Sequence, residues 1–459
     1  MSWSIGLHFG EHFADVVAHQ KDAIEQGLHK RRIFYSQMSP ESALTQLFAD
    51  LKVDTISKAT IFTNWPLRIA SSNLGGSAAM LMTAGFENWL EMSAPIVRRE
   101  FNSSPSRHEM PIDRELILGV SERINAEGHI EKLVDEAELE FLAAKLEMHK
   151  IKTLAVCFMH SAKNNENEKR AKAYFEGKGF RVYVSSRCSP LEHQSDEKPR
   201  FWAATLSAYV AETFFSRLKK VQDALAPYTT EIFLGQHPIK EIIDGHISPL
   251  KTTHGYYDIL ADNLTRTSGL LYAGLEEFAF FPGYEKRNKT WPSPYGPVAI
   301  PHATHHLTRI QPLITLGSNF HSPIAFDEDG LTYDPGPMVF GRGLTPTFFD
   351  ILALQSDLVP TLGITEKFSD RGRSRLAEQF SAYSRTLSDD SRLSGPDLAT
   401  LLFNMATEMM TDEIRNWYLP NRFQIIGPLA NVLAKPLQAE IIDDEFLPLK
   451  LAIREKGII

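Results

Sequence analysis

Cysteine is almost missing from this 459-residue chain: there are two, Cys157 and Cys188. Two thiols so far apart build neither a disulfide framework nor a zinc site with the usual ligand spacing. Cys157 lies in the apolar run Leu154-Ala155-Val156-Cys157-Phe158 and is expected to be a small buried hydrophobe. Cys188 precedes Ser189-Pro190 and is expected in a loop. Long apolar runs are also missing. No stretch reaches the roughly 18 uninterrupted apolar residues of a membrane-spanning helix. The first ten residues hold no basic segment followed by an apolar run, so no targeting segment is read and a cytoplasmic address is expected. Positive charge is in deficit, with 48 Lys+Arg against 57 Asp+Glu and a net charge of −9, which argues against a nucleic-acid partner. Neither Gly-x-x-x-x-Gly-Lys-Ser/Thr nor Gly-x-Ser-x-Gly occurs, so a P-loop and a serine nucleophile elbow are excluded. No repeat, heptad array or low-complexity tract is present.

What the chain does have is a globular mix, 43% hydrophobic and 23% charged. At about 100–200 residues per domain, two or three domains are expected. Ser4 to Gly10 reads as a strand ending in a turn, and His12 to His19 as its returning partner. Pro40 to Leu51 reads as a helix, started by Pro40 and carrying Leu44, Leu47, Phe48 and Leu51 on one face. Ala59 to Thr63 and Ala78 to Met82 read as strands, the second followed by the turn Thr83-Ala84-Gly85 and a short helix over Phe86 to Met92. Asp135 is read as the N-cap of a helix reaching His149, with Leu139, Leu142, Ala143 and Leu146 on its apolar face. Thr153 to Met159 reads as a buried strand, Asn167 to Lys178 as a polar helix ended by glycine, and Arg181 to Ser185 as a strand. The alternation over 113–185 implies a layered α/β unit with a partly parallel sheet. Trp202 to Ala224 and Leu398 to Trp417 carry helical periodicity, and Tyr284 to Pro297 reads as a loop.

Three sets of residues carry a resemblance. The first is Gly119-Val120-Ser121-Glu122-Arg123-Ile124-Asn125-Ala126-Glu127-Gly128, then Leu154 to Ser161, then Ser207-Ala208-Tyr209-Val210. The second is Asp334-Pro335-Gly336-Pro337 with Phe340-Gly341-Arg342-Gly343 and Thr345 to Asp350. The third is Thr63-Asn64 with Met80 to Phe86. In order and spacing these resemble the hydantoinase A/oxoprolinase family, from residue 5 to about 430. The chain ends at Ile459, short of that family's usual C-terminal extension. The resemblance implies an α/β, actin-like ATPase (ribonuclease H-like) two-lobed scaffold with an inserted α/β domain. It divides the chain into a first lobe over 1–94, a family-specific α/β domain over 95–225 and a second lobe over 226–459. It implies ATP and Mg²⁺ as cofactors, ring opening of hydantoin-like or oxoproline-like cyclic amides or ketone carboxylation as chemistry, and a B-type subunit as partner, with a homo-oligomer as the other possibility.

Measured against that family's motifs, the phosphate and metal groups are largely replaced. The first phosphate loop of the family carries Asp, Gly-Gly-Thr and a later Asp. Here Gly6, Gly10 and Asp15 match, while His8, Glu11 and His12 stand at the metal-organising Asp, the second Gly and the hydroxyl position. A carboxylate at 11 would repel a phosphate. As residues, Gly6, His8, Gly10, Glu11, His12 and Asp15 also form an ordinary hairpin tip. The second phosphate loop is aligned with Glu277 to Gly283, the Asp-x-His motif with Pro312 to Ser322, and the late glycine motif with Ile425 to Ala430. Outside these, His302, His305 and His306 form His-x-x-His-His, a spacing that would suit Zn²⁺ or Ni²⁺ and is equally that of solvated loop histidines. No catalytic residue is assigned. Three functions stand open: a family subunit that does not hydrolyse ATP and acts structurally or as a regulator in a hydantoinase/carboxylase-like complex; an ATP-dependent hydrolase or carboxylase subunit; and a metal-dependent enzyme built on the His302 cluster.

Overall fold

Strand β1 (Ser2–Phe9) explains why the chain begins as a sheet buried on both sides. Trp3, Ile5, Leu7 and Phe9 alternate onto one face and are all buried, while the small or polar Ser4, Gly6 and His8 share the other. It is followed by β2 (Phe13–Gln20), β3 (Leu28–Phe34), α1 (Pro40–Asp50), β4 (Thr55–Thr63), α2 (Trp65–Ser71) and β5 (Ala79–Thr83). Next come β6 (Ile117–Val120), β7 (Arg123–Ile124), β8 (Ile130–Lys132), α3 (Glu136–Met148), β9 (Thr153–Cys157), α4 (Glu166–Gly177) and β10 (Arg181–Val184). Then follow α5 (Ser185–Cys188), α6 (Glu197–Leu225), β11 (Ile232–Leu234), β12 (His237–Pro238) and α7 (Ile239–Ile243). The strands β13 (Gly269–Ala273), β14 (Phe278–Phe281), β15 (Lys289–Pro292), β16 (Pro297–Ile300), β17 (Ile324–Asp327), β18 (Gly330–Tyr333) and β19 (Phe423–Ile426) lead to α8 (Ala430–Leu437), β20 (Glu440–Ile441) and α9 (Leu447–Ile453). This computed structural model describes residues 2–10, 13–20, 27–34, 39–71, 74–91, 110–188, 197–245, 247–253, 269–274, 423–453, the strands between 278 and 333, and single residues or short stretches at 259 and from 351 to 411.

Three main sheets result. The first has order β12-β11-β4-β1-β2-β3, with β1, β2 and β3 antiparallel and β1, β4 and β11 parallel. The second, β10-β9-β5-β6, is parallel throughout. The third has order β14-β13-β19-β20, again an antiparallel hairpin followed by parallel neighbours. The sense of pairing along β14-β13-β19-β20 repeats that along β2-β1-β4-β11, so the first and third sheets share one topology. Sheet membership crosses the boundaries read from sequence: β5, within 1–94, lies in the second sheet, and β11, beyond 225, returns to the first.

Helix α6 joins the first two sheets into one core. Over Pro199 to Ala211 every residue is buried, and beyond that only Phe214, Leu218, Val221 and Leu225 are. It therefore runs through a closed interior and emerges as a surface helix. At 29 residues it is about 43 Å long. It begins at Glu197, five residues before the apolar pattern, because its charged first turn carries no periodic signal. Asp135 caps α3 as expected, its side chain accepting from the Ala137 amide. Cys188 is not in a loop: it ends α5 and is buried, as is Cys157. Phe86 to Glu91 forms turns rather than a helix, and the stretch read as a loop over 284–297 contains β15, paired with β16. The residues described between 396 and 411 are mostly helical. No helix among the described residues is long and apolar enough to cross a membrane.

Candidate functional site

Phe62, His8, Asp15 and Arg32 are successive cross-strand partners on β4, β1, β2 and β3, and so form one row on one face of the first sheet. His8 is 4% and Asp15 3% exposed. Arg32 grips the Asp15 carboxylate with its side-on fork: Nε donates to Oδ1 at 2.7 Å and Nη2 to Oδ2 at 3.1 Å. Nη2 also donates to Glu445 Oε2 at 3.0 Å. The Phe13 and Phe446 rings flank the guanidinium, each 5.5 Å from it. Burial opposes the charge on Arg32, but the carboxylates of Asp15 and Glu445 outweigh it and raise its pKa, so the guanidinium stays charged.

The tip of the β1–β2 hairpin is held from the side by α2. The Gly10 amide donates to the Phe13 carbonyl at 2.9 Å. Thr63 Oγ1 donates to the Phe9 carbonyl at 3.0 Å, and Trp65 Nε1 to the Gly10 carbonyl at 3.1 Å. Thr63, at the end of β4, thus belongs to the site. Gly6 has a different role. A Cβ there would lie 3.0 Å from Ile453 and 3.2 Å from the Leu449 carbonyl, so its bareness admits α9 against the sheet.

A second hairpin of the same build lies across from the first. In β1–β2, Phe9 pairs Ala14 and His8 pairs Asp15; in β13–β14, Ala273 pairs Phe278 and Tyr272 pairs Ala279. The separations of 5 and 7 residues are identical, so Tyr272 is the counterpart of His8 and Gly274 of Gly10. This corrects the alignment of the second loop with Glu277 to Gly283: Phe278–Phe281 is the returning strand β14, antiparallel to β13, and does not precede the loop. The stretch Ile425 to Ala430, aligned with the late glycine motif, runs from the end of β19 into α8. There the Leu429 amide donates to the Ala273 carbonyl at 3.0 Å, as Thr63 does to Phe9 in the first hairpin. Gly427 has φ +116°, and a Cβ on it would stand 2.6 Å from the Ala273 carbonyl oxygen. The two halves meet directly: Val17, Phe62, Leu270, Tyr272, Ile426, Phe446 and Leu449 form one buried apolar cluster, with Tyr272 1% exposed.

Glu11, His12, His302, His305 and His306 lie outside the described residues, as do Pro312 to Ser322 and the block from Asp334 to Asp350. Among the described residues no three His, Cys, Asp or Glu side chains gather as metal ligands. Sequence reading missed Arg32, Glu445 and Tyr272. The first was legible in principle: extending the hairpin register into Leu28–Phe34 places Arg32 opposite Asp15.

Residues 4–179 match the family model described as the hydantoinase/oxoprolinase N-terminal region. These residues belong to the hydantoinase/oxoprolinase family. An acetone carboxylase solved without nucleotide, from work on ATP-dependent acetone carboxylation, superposes on 98% of this chain and 69% of its own, with a TM-score of 0.68 and 16% identity. The ATP-dependent caprolactamase of Pseudomonas jessenii matches over 98% of this chain and 70% of its own, with a TM-score of 0.63 and 13% identity. These likenesses establish the fold, a mixed α/β scaffold of the actin-like ATPase kind. An uncharacterised protein of Methanocaldococcus jannaschii is 23% identical over 231 residues, 49% of this chain and 33% of that protein, so the match spans a third of that relative.

Proposed function

We propose that this chain is an A-type protein of the hydantoinase/oxoprolinase family that keeps the actin-like scaffold without turning over ATP, and serves as a structural or regulatory subunit of a hydantoinase- or carboxylase-like complex. The observation that carries the reading is the Asp15–Arg32 ion pair. Phosphoryl transfer on such a scaffold needs carboxylates with lone pairs open to Mg²⁺ and backbone amides open to phosphate. Asp15 has both oxygens engaged by Arg32, while imidazole and phenol rings stand at the paired hairpin positions His8 and Tyr272. The partner expected is a B-type subunit, or a second copy of this chain.

A second reading has its own support. Both hairpins keep their register, Gly10 and Gly427 remain, and both structural neighbours are ATP-dependent enzymes. Thermal unfolding of the purified chain with and without Mg-ATP separates the two. A ligand at about 100 times its dissociation constant adds roughly 2.7 kcal/mol. No shift at millimolar nucleotide is expected. A saturable upward shift overturns the proposal in favour of an ATP-dependent hydrolase or carboxylase subunit, to be assayed on cyclic amides.

A further inference from the structure

The parallel sheet has its own topological switch point. From β5 the chain passes to β6 on one side, then returns across β5 to β9 and β10 on the other. In open α/β sheets the crevice beyond the carboxyl ends of the strands at such a point is where ligands bind. At these strand ends sit buried polar groups that the His8–Asp15–Arg32 row does not use. Thr83, at the end of β5, donates to Glu122 and accepts from the Met159 amide. Glu168 accepts from the Phe158 and Ser186 amides and from Ser185 Oγ, the last at 2.6 Å. Ser185 and Ser161 hydroxyls lie 3.0 Å apart, and Arg200 Nη1, from the first turn of α6, donates to them at 3.4 and 2.9 Å.

Arg200 is 2% exposed, yet its Nε and Nη2 make no hydrogen bond within the chain. Those two nitrogens are the side-on fork of the guanidinium, the edge with which Arg32 holds Asp15 in the first sheet. No carboxylate among the described residues contacts Arg200; the nearest in the network, Glu168, is reached only through Ser185. A buried cation with its fork unmet by the chain and two serines fixing its third nitrogen has the donor geometry for a planar anion with paired oxygens, admitted by a small opening at the sealed fork. The N-terminus of α6 adds favourable potential. His160, in the left-handed region at φ +59°, and Glu197 lie beside it, 34% and 17% exposed and 3.3 Å apart, on the side facing solvent.

We propose that this crevice binds the carboxylate group of a small molecule, received by Nε and Nη2 of Arg200. Glu168, joined to Arg200 through Ser185, disfavours a dianion, so a carboxylate is selected over phosphate. This site is independent of the nucleotide question and stands whichever way that is settled.

The test uses the full chain, titrated with sodium formate, sodium acetate, inorganic phosphate and chloride at matched ionic strength, read by thermal unfolding and calorimetry. Formate and acetate are expected to give a saturable response, and phosphate and chloride none. Arg200→Lys keeps the charge but loses the fork, and is expected to raise the dissociation constant at least about tenfold. Should that variant fail to fold, Ser161→Ala and Ser185→Ala leave the guanidinium in place and are expected to weaken binding several-fold. Fluorine NMR of trifluoroacetate on the unmodified chain, displaced by formate but not by chloride, needs no variant. The proposal is overturned by no carboxylate response, by equal responses to chloride (solvent or salt filling the crevice), by phosphate binding more tightly than formate, or by unchanged affinity in folded Arg200→Lys.

Discussion

If Asp15 holds the fold rather than a metal, its removal should be read in stability. Asp15→Ala leaves Arg32 buried with Glu445 as its one remaining carboxylate partner among the described residues, and that residue is partly exposed. Breaking a buried ion pair from one side costs about 3–5 kcal/mol. Because Glu445 and the two flanking rings remain, the low end applies, about 3 kcal/mol. At about 1.4 kcal/mol per decade this is roughly a 100-fold rise in the opening equilibrium of the β1–β2–β3 meander. Hydrogen exchange followed by mass spectrometry on peptides from Ser2 to Phe34 measures it directly, without requiring the whole chain to unfold in two states.

Two companions sharpen the test. Asp15→Leu combined with Arg32→Met removes both charges into surroundings that already contain Phe446, Tyr272 and Val17, and should recover most of the lost protection. Glu445→Ala touches the exposed arm and should cost under about 1 kcal/mol. The reasoning is refuted if Asp15→Ala changes exchange by less than about threefold while abolishing a Mg-ATP response present in the parent chain.

Other expectations follow from single contacts. Gly427→Ala forces a side chain into a left-handed backbone and against the Ala273 carbonyl, and should cost more than about 1 kcal/mol; an unchanged melting temperature would contradict it. Burial pushes the Cys188 thiol up to about 12 and Cys157 well above the ordinary range, so neither should react with a disulfide reagent at pH 8 until the chain unfolds. Burial, reinforced by Glu168, raises Glu122 above the ordinary 4.5 despite hydrogen bonds from Thr83 and Asn167. The folded state then holds a proton that the unfolded state has released, so stability falls as pH rises from about 4.5 through the raised value. Glu122→Gln should flatten that part of the profile, and parallel curves for the two proteins would rule the assignment out.

The elements legible in sequence were those whose signal is local. The Asp135 cap with its Leu139, Leu142, Leu146 face, the β1–β2 hairpin and the apolar run of β9 each follow from spacing within one segment. What was illegible depends on partners elsewhere. The β3 strand Leu28–Phe34 is mostly polar, and only its register with β2 gives it a place. Cys188 is buried because α6 and the turn holding Ser248 close over it, which its Ser-Pro context conceals. The second hairpin was misplaced because periodicity alone does not say which of two apolar runs comes first. The pairing of Tyr272 with Ala279 does.

The shared build of the two hairpins also shows how the backbone can stay in place whatever side chains stand at 8 and 272. The bonds that fix the first tip run from Thr63, Trp65 and the Gly10 amide to backbone carbonyls, and the second is fixed at Ala273 by the Leu429 amide. None of them uses the side chain at 8 or 272, so those positions can change while the backbone stays in place. The converse makes the last prediction. Restoring the family's carboxylate with His8→Asp should not restore a nucleotide site. The new carboxylate would stand directly opposite Asp15, where like charges destabilise, and Arg32 is already engaged on both Asp15 oxygens. The variant should melt below the parent in the absence of Mg²⁺ and show no calorimetric heat with Mg-ATP. Should it bind Mg-ATP instead, one substitution separates this chain from a working ATPase, and the scaffold reading gives way.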